Sequence, residues 1–346
     1  MDFGGGEHIR FERLGLAGIV TLTRPKALNA LTHPMVNSLS RALEAWEADP
    51  GVACVVLKAE GRAFCAGGDI RKVYDGRGEQ SQIAFFADEY RLNAQIARFR
   101  KPYVALIDGL VMGGGVGISF HGSHRVMTEN AEFAMPEVGI GFFPDVGGSC
   151  LLPDLGGSFG MYLALTGRRI GSGDALWSGL ATHTVEAVYL LGLIEEIAES
   201  GDPGSDLREV FRAARRTTSG ADLQSIARHF SCGSLAEILA SLESAAPTDP
   251  FAADTLATIL TKSPTSLAVT FRALKGGLTM SMDDCMRTEF RIVNRMMQGH
   301  DFYEGVRCAL IDKGDKPRWR PETLAGVSAD DVDAYFQPLP GGELAL

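Results

Sequence analysis

Two glycine-rich turns constrain this chain most, because each follows an apolar run at a point where the backbone must turn sharply. The first lies in FCAGGDI, where residues 66–68 follow the apolar run VACVVLK at 52–58. The second lies in GLVMGGGVG, where residues 113–115 precede a predicted helix. Glycine lacks a Cβ, so both turns could bring the backbone close to a ligand. Glycine clusters also serve tight turns and close packing, and neither turn alone decides between these roles.

Strand-like and helix-periodic segments alternate through the first two hundred residues. The patterns predict a hairpin at 9–22, a helix after Pro34, a helix from Gln80 to Arg98 and strands at 103–107 and 124–129. Beyond about residue 200 the strand signals fade, and charged helix-periodic segments continue to Met297. The alternation predicts an α/β core with a parallel sheet, followed by a mostly helical C-terminal part.

Composition excludes several functional classes. With 346 residues, 45% hydrophobic and 22% charged, the chain is long enough for a large core and an appendage. A net charge of −10 argues against a nucleic-acid partner. The six cysteines form no CxxC pair, which predicts reduced thiols and no zinc site. Without a signal-like or transit-like start or a long apolar window, we expect a cytoplasmic protein with no membrane partner.

The second glycine turn coincides with the start of a helix. Backbone N–H groups at such a position lack intrahelical partners and are supported by the helix dipole, which favours negative charge there. One N–H from each turn, directed at the same carbonyl oxygen, would form an oxyanion hole. MGGGVG matches neither GxxxxGK[ST] nor GxGxxG, so it is not predicted to bind a nucleotide phosphate.

Two carboxylates interrupt an otherwise nearly uncharged segment, AEFAMPEVGIGFFPDVGG at 131–148. These are Glu137 and Asp145. Burial of a carboxylate is unfavourable unless it is paired or used. From these residues alone, a chance pair of loop carboxylates remains the alternative. If the segment is buried, its apolar side chains should raise both carboxyl pKa values.

A third carboxylate falls on the apolar stripe of the predicted helix at 80–98. Phe85, Leu92, Ile96 and Phe99 share one face, and Glu89 lies within it. A glutamate in such a stripe is more often partly exposed or salt-bridged, so the pattern alone does not make it functional.

The remaining candidates have structural interpretations. His121 and His124 follow the second glycine turn, where a supporting role is favoured. Ser119, Ser149 and Cys150 lack a nearby His–Asp pattern, so a serine or cysteine nucleophile is not predicted. No metal-ligand cluster is evident.

Taken together, FCAGGDI, GLVMGGGVGIS and MPEVGIGFFPDVGGS resemble the crotonase (enoyl-CoA hydratase/isomerase) superfamily. The resemblance implies a spiral of ββα units over about residues 8–200 and a mostly helical C-terminal domain at 201–346. It implies that the amides of Gly68 and Gly114 polarise an acyl-CoA thioester carbonyl. The segment Gly68, Asp69, Ile70 and Arg71 would lie along the adenine and pantetheine of CoA.

Departures from the pattern distinguish branches of that superfamily. Hydratases carry a glutamate at the position of Gly117, so hydration of a double bond is disfavoured. SPTSLAVTFRALKGG and GHDFYEGVRCALIDKGDKPRWRP resemble instead the 3-hydroxyisobutyryl-CoA hydrolase branch of valine breakdown. In that branch Glu137 and Asp145 would be catalytic and Glu89 would contribute to the substrate pocket. No cofactor is implied, because CoA is part of the substrate.

The resemblance leaves several alternatives open. Glu137 could attack the thioester directly or act as a general base on water, and Asp145 could position the substrate 3-hydroxyl or manage the thiol proton. An enoyl- or dienoyl-CoA isomerase is the second candidate function, and a CoA-binding scaffold or RNA-binding relative is the third. A homo-oligomer, as a trimer or its dimer, is a further implication. Lys26, Arg62, Arg71 and Lys72 are candidates for contacts with the CoA phosphates.

Overall fold

The computed structural model describes residues 1–346 and contains ten strands. They are β1 (Ile9–Leu14), β2 (Ala17–Leu22), β3 (Cys54–Ala59), β4 (Ala63–Cys65), β5 (Tyr103–Ile107), β6 (Leu110–Met112), β7 (His124–Met127), β8 (Glu132–Ala134), β9 (Ile170–Gly171) and β10 (His183–Thr184). They form a six-stranded sheet of order β1-β2-β3-β5-β7-β10 and a four-stranded sheet of order β4-β6-β8-β9.

A repeated pair of strands connects the two sheets. In each of the pairs β3–β4, β5–β6 and β7–β8, the first strand joins the large sheet and the second joins the small one. Equivalent strands of successive repeats are parallel in both sheets, and a helical segment follows each pair. The predicted α/β class with parallel sheets built from ββα repeats is confirmed.

Sixteen α-helices complete the fold. They are α1 (His33–Ala48), α2 (Ile70–Asp75), α3 (Gln80–Arg98), α4 (Gly114–Gly117), α5 (Gly148–Leu151), α6 (Phe159–Thr166), α7 (Ser172–Ser178), α8 (Leu190–Ser200), α9 (Pro203–Val210), α10 (Gly220–Phe230), α11 (Leu235–Ala245), α12 (Pro250–Ile259), α13 (Pro264–Gly277), α14 (Met282–Met296), α15 (Asp301–Val306) and α16 (Ala329–Phe336). No strand follows β10, so the predicted loss of strand signals near residue 200 is confirmed.

The chain divides into two compact units. Unit 1 comprises residues 1–69, 87–134 and 169–217, and unit 2 comprises residues 70–86, 135–168 and 218–346. All ten strands belong to unit 1. These units are made of segments that are discontinuous in sequence. The predicted domains at 8–200 and 201–346 are continuous in sequence, and that division stays a prediction.

Unit 1 has its core between the large sheet and the helices that follow it. Side chains of β2, β3, β5 and β7 contact the apolar face of α8, together with Leu207 of α9. Ile197 on α8 and Val104 on β5 are both fully buried. Burial of each such side chain contributes about 1.5–3 kcal/mol, so this contact fixes the large sheet.

Unit 2 is helical, and its longer helices begin at side-chain caps. Ser219, Ser234 and Ser281 each accept a hydrogen bond from the backbone N–H three residues later. Such caps satisfy donors that a helix start leaves unpaired. The serine at each helix start therefore defines where α10, α11 and α14 begin.

Candidate active site

The two glycine turns lie at the carboxyl ends of adjacent strands in unit 1. β4 pairs with β6 in parallel, so both strands end at the same edge of the small sheet. Gly67 has a φ of 106° and Gly113 a φ of 48°, a region of backbone space that strongly favours glycine. Each of these residues directly precedes one of the proposed oxyanion amides. The local backbone explains why both turns require glycine.

The backbones of the two turns are in close proximity. A Cβ built on Gly67 would lie 3.7 Å from the backbone nitrogen of Gly114, and one built on Gly114 would lie 3.2 Å from the backbone nitrogen of Gly68. The structure therefore brings together the two amides that the sequence predicted, within unit 1.

The hydrogen bonds on either side of Gly68 direct the Gly68 N–H away from the neighbouring segment at Leu31. Leu31 pairs with Gly68 as an isolated parallel bridge. In that bridge the Leu31 N–H donates to Gly67 O and the Asp69 N–H donates to Leu31 O, at 2.8 Å each. The Gly68 N–H takes no part in it. Gly114 is the first residue of α4, so its N–H has no acceptor within the helix.

Glu89 lies beside these turns. Its side chain is on α3 and only 2% of it is exposed. A Cβ at Gly114 would collide with the Oε1 atom of Glu89, which places this carboxylate next to the amides. The apolar stripe thus identified a buried glutamate, and the partly exposed alternative is wrong.

The residues predicted to lie along CoA have local ion pairs. Asp69 is paired with Arg24 at 2.8 Å, with both side chains mostly buried. Arg71, in the first turn of α2, is paired with Asp75 at 3.0 Å on the surface. Ile70 begins α2 and is partly exposed. The ion pair with Arg24 therefore holds Asp69 at the end of the glycine turn at 66–68. The contacts of Gly68, Asp69, Ile70 and Arg71 with CoA stay a prediction.

Glu137 is a buried carboxylate in unit 2. It begins a short 3₁₀ segment, Glu137–Ile140, that directly follows Pro136. Only 7% of Glu137 is exposed, and its Oε2 atom has no hydrogen-bond partner. Burial, and then the negative charge of Asp145, raise the pKa of Glu137 well above its ordinary value. The expected rise in the pKa of this carboxyl is confirmed.

Asp145 lies in the next turn of the same unit and is 4% exposed. The Gly148 N–H donates to Asp145 O at 2.7 Å, which closes the turn before α5. Val146 has a φ of 51° and Gly147 a φ of 88°. A β-branched residue rarely occupies the left-handed region. The turn that carries Asp145 is therefore strained.

Aromatic rings cover the loop between these carboxylates. Phe142 contacts Phe143, Phe302 and Phe86, with ring centroids 4.9, 5.4 and 5.7 Å away. Val138 and Phe143 are fully buried. These rings keep water from the loop, which explains why burial is the largest cause of the raised pKa of Glu137.

Glu289 on α14 is a buried carboxylate that the sequence interpretation did not identify. It is fully buried, and it accepts hydrogen bonds from the Gly147 N–H at 2.9 Å, the Ser149 N–H at 3.0 Å and the Ser149 hydroxyl at 2.5 Å. Burial raises the pKa of Glu289 to about 8 against the effect of these donors, and the charge of Asp145 raises it further. Unit 2 thus clusters three carboxylates.

The serines and the histidine for which the sequence favoured a supporting role make hydrogen bonds or ring contacts within the protein. Ser119 donates its hydroxyl to Gly115 O at 2.5 Å, and Ser149 donates to Glu289. His124 stacks on His183 with ring centroids 6.0 Å apart and bonds to Ser123 at 2.9 Å. No group of three His, Cys, Asp or Glu side chains is placed to hold a metal ion. No helix combines the length and apolarity needed to cross a membrane.

A family sequence profile matches most of the chain. The profile of enoyl-CoA hydratase/isomerase covers residues 17–336. The chain belongs to the enoyl-CoA hydratase/isomerase family. This assignment confirms the resemblance inferred from the glycine turns and the Glu137 segment.

Several named relatives and solved structures are similar to this member of the enoyl-CoA hydratase/isomerase family over nearly its whole length. It is 42% identical, over 100% of its length and 94% of the relative's, to "3-hydroxyisobutyryl-CoA hydrolase, mitochondrial" of Danio rerio. A carnitinyl-CoA dehydratase from Mycobacterium thermoresistibile superposes with a TM-score of 0.92 at 38% identity, covering 98% of this chain and 99% of that one. An enoyl-CoA hydratase from Rhodobacter sphaeroides 2.4.1 superposes with a TM-score of 0.90 at 40% identity, covering 98% and 100%.

Proposed function

We propose that this protein hydrolyses the thioester of a short 3-hydroxyacyl-CoA, 3-hydroxyisobutyryl-CoA, to 3-hydroxyisobutyrate and CoA, a step of valine degradation. The observation that carries the proposal is Glu137, a buried carboxylate with an unpartnered oxygen beside the charge of Asp145. Perturbed carboxylates of this kind concentrate at catalytic sites. The 42% identical relative bears the name of this hydrolase.

The predicted site residues would take different parts in the chemistry. The N–H groups of Gly68 and Gly114 would donate to the thioester oxygen and stabilise the negative charge that develops on it. Glu89, next to these amides, would contribute to substrate binding. Glu137 would begin the attack on the thioester carbon, and Asp145 would position the substrate 3-hydroxyl or deliver the proton that the thiolate takes up.

Two routes are open to Glu137. In the first, a carboxylate oxygen bonds to the thioester carbon, the carbon–sulfur bond breaks, and water then cleaves the mixed anhydride. In the second, Glu137 removes a proton from water and the hydroxide oxygen bonds to that carbon. In both, the departing thiolate gains one proton and one water is consumed.

Hydration and isomerisation are the competing activities. The two structural neighbours are named as a dehydratase and a hydratase, but position 117 is glycine here, so one of the two hydratase glutamates is missing. An enoyl- or dienoyl-CoA isomerase keeps its thioester intact. Release of free thiol from 3-hydroxyisobutyryl-CoA therefore separates the proposed hydrolase from both, and a CoA-binding scaffold would show no turnover.

The deciding experiment compares wild type with Glu137→Gln in a thiol-release assay. The amide keeps the shape of the side chain but is neither a nucleophile nor a base at neutral pH, so kcat should fall at least about a hundredfold. Glu132→Gln is the matched control, because Glu132 lies five residues earlier and forms only a surface pair with Arg169. Its activity should remain close to wild type. A Glu137→Gln enzyme of near-normal kcat would refute the proposed role.

Single-turnover hydrolysis in heavy-oxygen water distinguishes the two routes. Direct attack, followed by attack of water on the Glu137 carbonyl carbon of the anhydride, transfers a Glu137 oxygen to the product and leaves the label in the protein. General-base attack places the label only in the released acid. Mass spectrometry of the peptide that contains Glu137 reads the difference.

Cofactor, assembly and location remain proposals. We propose that no cofactor takes part, so activity should survive exhaustive dialysis against a chelator. A trimer or its dimer is the proposed assembly, which sedimentation analysis tests. The predicted cytoplasmic location is not supported by the relatives, whose names include "mitochondrial", and cell fractionation would decide it.

A further inference from the structure

The turn that follows Asp145 is anchored by a carboxylate from a distant part of the chain. Glu289 and Gly147 are 142 residues apart in sequence. We propose that Glu289 is a positioning residue that holds the Asp145 turn in its catalytic geometry. This inference rests on the proposed hydrolase function for its kinetic consequence, but not for its structural one.

The contacts of Glu289 fix the turn from two sides. Its Oε2 atom accepts from the Gly147 N–H, while Oε1 accepts from the N–H and the hydroxyl of Ser149. The backbone positions two and four residues after Asp145 are therefore tied to one rigid side chain. Between them, Gly148 closes the turn by donating to Asp145 O. Asp145 has little freedom to reorient while these bonds persist.

Backbone strain shows why an anchor is needed. Val146 is in the left-handed region with a φ of 51°, directly between Asp145 and Gly147. Such a conformation is unfavourable by about 1–3 kcal/mol and persists only where surrounding contacts enforce it. Three hydrogen bonds to a buried carboxyl can supply that enforcement. Without them, the turn would relax toward an ordinary backbone conformation and redirect the Asp145 side chain.

The anchor works in either protonation state of Glu289. The carboxylate accepts all three bonds. When protonated on Oε1, it can donate to the Ser149 hydroxyl oxygen while still accepting from both amides. A glutamine cannot do the same, because its NH₂ group would face a backbone N–H. Glu289→Gln therefore removes one amide contact and leaves the side-chain volume unchanged.

The kinetic test measures thiol release by wild type, Glu289→Gln and Ser149→Ala. A displaced catalytic group typically lowers the rate by about a hundredfold per ångström, so kcat of Glu289→Gln should fall by roughly tenfold to a hundredfold. KM should change less than kcat, because the variant displaces Asp145 but alters no group that binds CoA. Ser149→Ala, which loses only the hydroxyl contact, should show a smaller loss of the same kind.

A double variant tests whether Glu289 acts through Asp145. If it does, adding Glu289→Gln to Asp145→Asn should slow the enzyme little beyond Asp145→Asn alone. Fully multiplicative losses, or a wild-type kcat in Glu289→Gln, would overturn the proposal.

Asp249 provides a matched control in the same unit. Its carboxylate also accepts from two backbone N–H groups, of Phe251 and Ala252, and from one serine hydroxyl, of Ser225. Asp249→Asn should therefore lose stability but keep the wild-type kcat. An equal loss of kcat in this control would assign the effect of Glu289→Gln to general destabilisation and overturn the positioning role.

Amide hydrogen exchange separates this inference from the proposed function. Peptides covering residues 145–151 should exchange faster in Glu289→Gln than in wild type, while peptides of α14 stay protected. If wild type releases no thiol but the exchange differs as expected, the anchor stands and the hydrolase function fails. If the exchange of 145–151 is unchanged, Glu289 does not hold the turn, whatever the activity.

Discussion

At the scale of single residues, positions 67 and 114 both require glycine, but for different reasons. Gly67 has a φ of 106°, but the nearest atom to an added Cβ would be 3.5 Å away, so its constraint is conformational. Gly114 has no positive φ, yet its Cβ would collide with Glu89 and lie 3.2 Å from the Gly68 nitrogen. Its constraint is space, because an added Cβ would lie beside the two amides that are proposed to bind the thioester oxygen.

Gly114→Ala should therefore lower kcat/KM for 3-hydroxyisobutyryl-CoA by about a hundredfold or more, because the methyl group displaces Glu89 or rotates the amide. Far-UV circular dichroism should be unchanged. Gly192→Ala on α8 is the control, since its added Cβ would meet no atom within 4 Å. That variant should keep full activity and gain about 0.5–1 kcal/mol in stability. Normal activity in Gly114→Ala would remove this residue from the site.

The raised pKa of Glu137 makes a prediction about pH dependence. Glu137 must be ionised to attack or to act as a base, so kcat/KM should rise with pH through an apparent pKa well above 4.5. Asp145→Asn removes the neighbouring negative charge and should shift that pKa downward in the residual activity. An apparent pKa near 4.5 in wild type would contradict the assigned environment.

At the scale of secondary-structure elements, α3 and α14 present similar sequence signals. The predicted bounds of α3 agree with the structure, and Glu89 on its apolar stripe is buried, although a partly exposed or salt-bridged glutamate was favoured there. On α14, Cys285, Ile292 and Val293 are fully buried on the same face as Glu289, so the same test would have identified Glu289 as buried. Its partners could not be predicted, because local periodicity carries no information on hydrogen bonds to residues about 140 positions away.

The two-residue strands β9 and β10 were also missed, because a run so short has no periodicity.

The stability of α14 can be varied separately from its anchor. The Ser281 hydroxyl oxygen accepts from the Asp284 N–H at 3.2 Å and caps the helix. Ser281→Ala should lower the free energy of unfolding by about 1 kcal/mol, measured in urea. Its kcat should not change, because the contacts of Glu289 remain. A large loss of kcat would show that the site depends on helix stability and not on the anchor alone.

At the scale of the whole molecule, the sequence pattern predicted the α/β class and both glycine turns, and the family resemblance implied the ββα repeat. The discontinuous composition of the two compact units was not predicted. Segments 70–86 and 135–168 associate with the C-terminal helices although they lie between strands in sequence. Periodicity identifies a buried face but not the partner that covers it, so long-range association has to be read from the structure.

Buried carboxyl groups should make the stability of the whole protein depend on pH. Glu289 has a folded pKa of about 8, above the ordinary 4.5, so between these values the folded state binds a proton that the unfolded state has lost. Its contribution is therefore present below about pH 4.5 and is lost as pH rises toward 8. The stability difference between wild type and Glu289→Gln should shrink by about 1 kcal/mol per pH unit over this range. Urea unfolding of both proteins at several pH values measures it, and a pH-independent difference would contradict the assigned pKa.

The bond between Glu289 and the Asp145 turn has a consequence for biosynthesis. A ribosome completes β10, the last strand, at Thr184, but it does not add Glu289 until more than a hundred residues later. Until then, a nascent chain can contain every strand and both glycine turns while its strained turn at Val146 lacks an anchor. Catalytic competence would thus be acquired late in translation. A chain stalled before α14 should protect its strand amides but leave residues 145–151 open to exchange, so an unfinished product would be unable to act on a thioester.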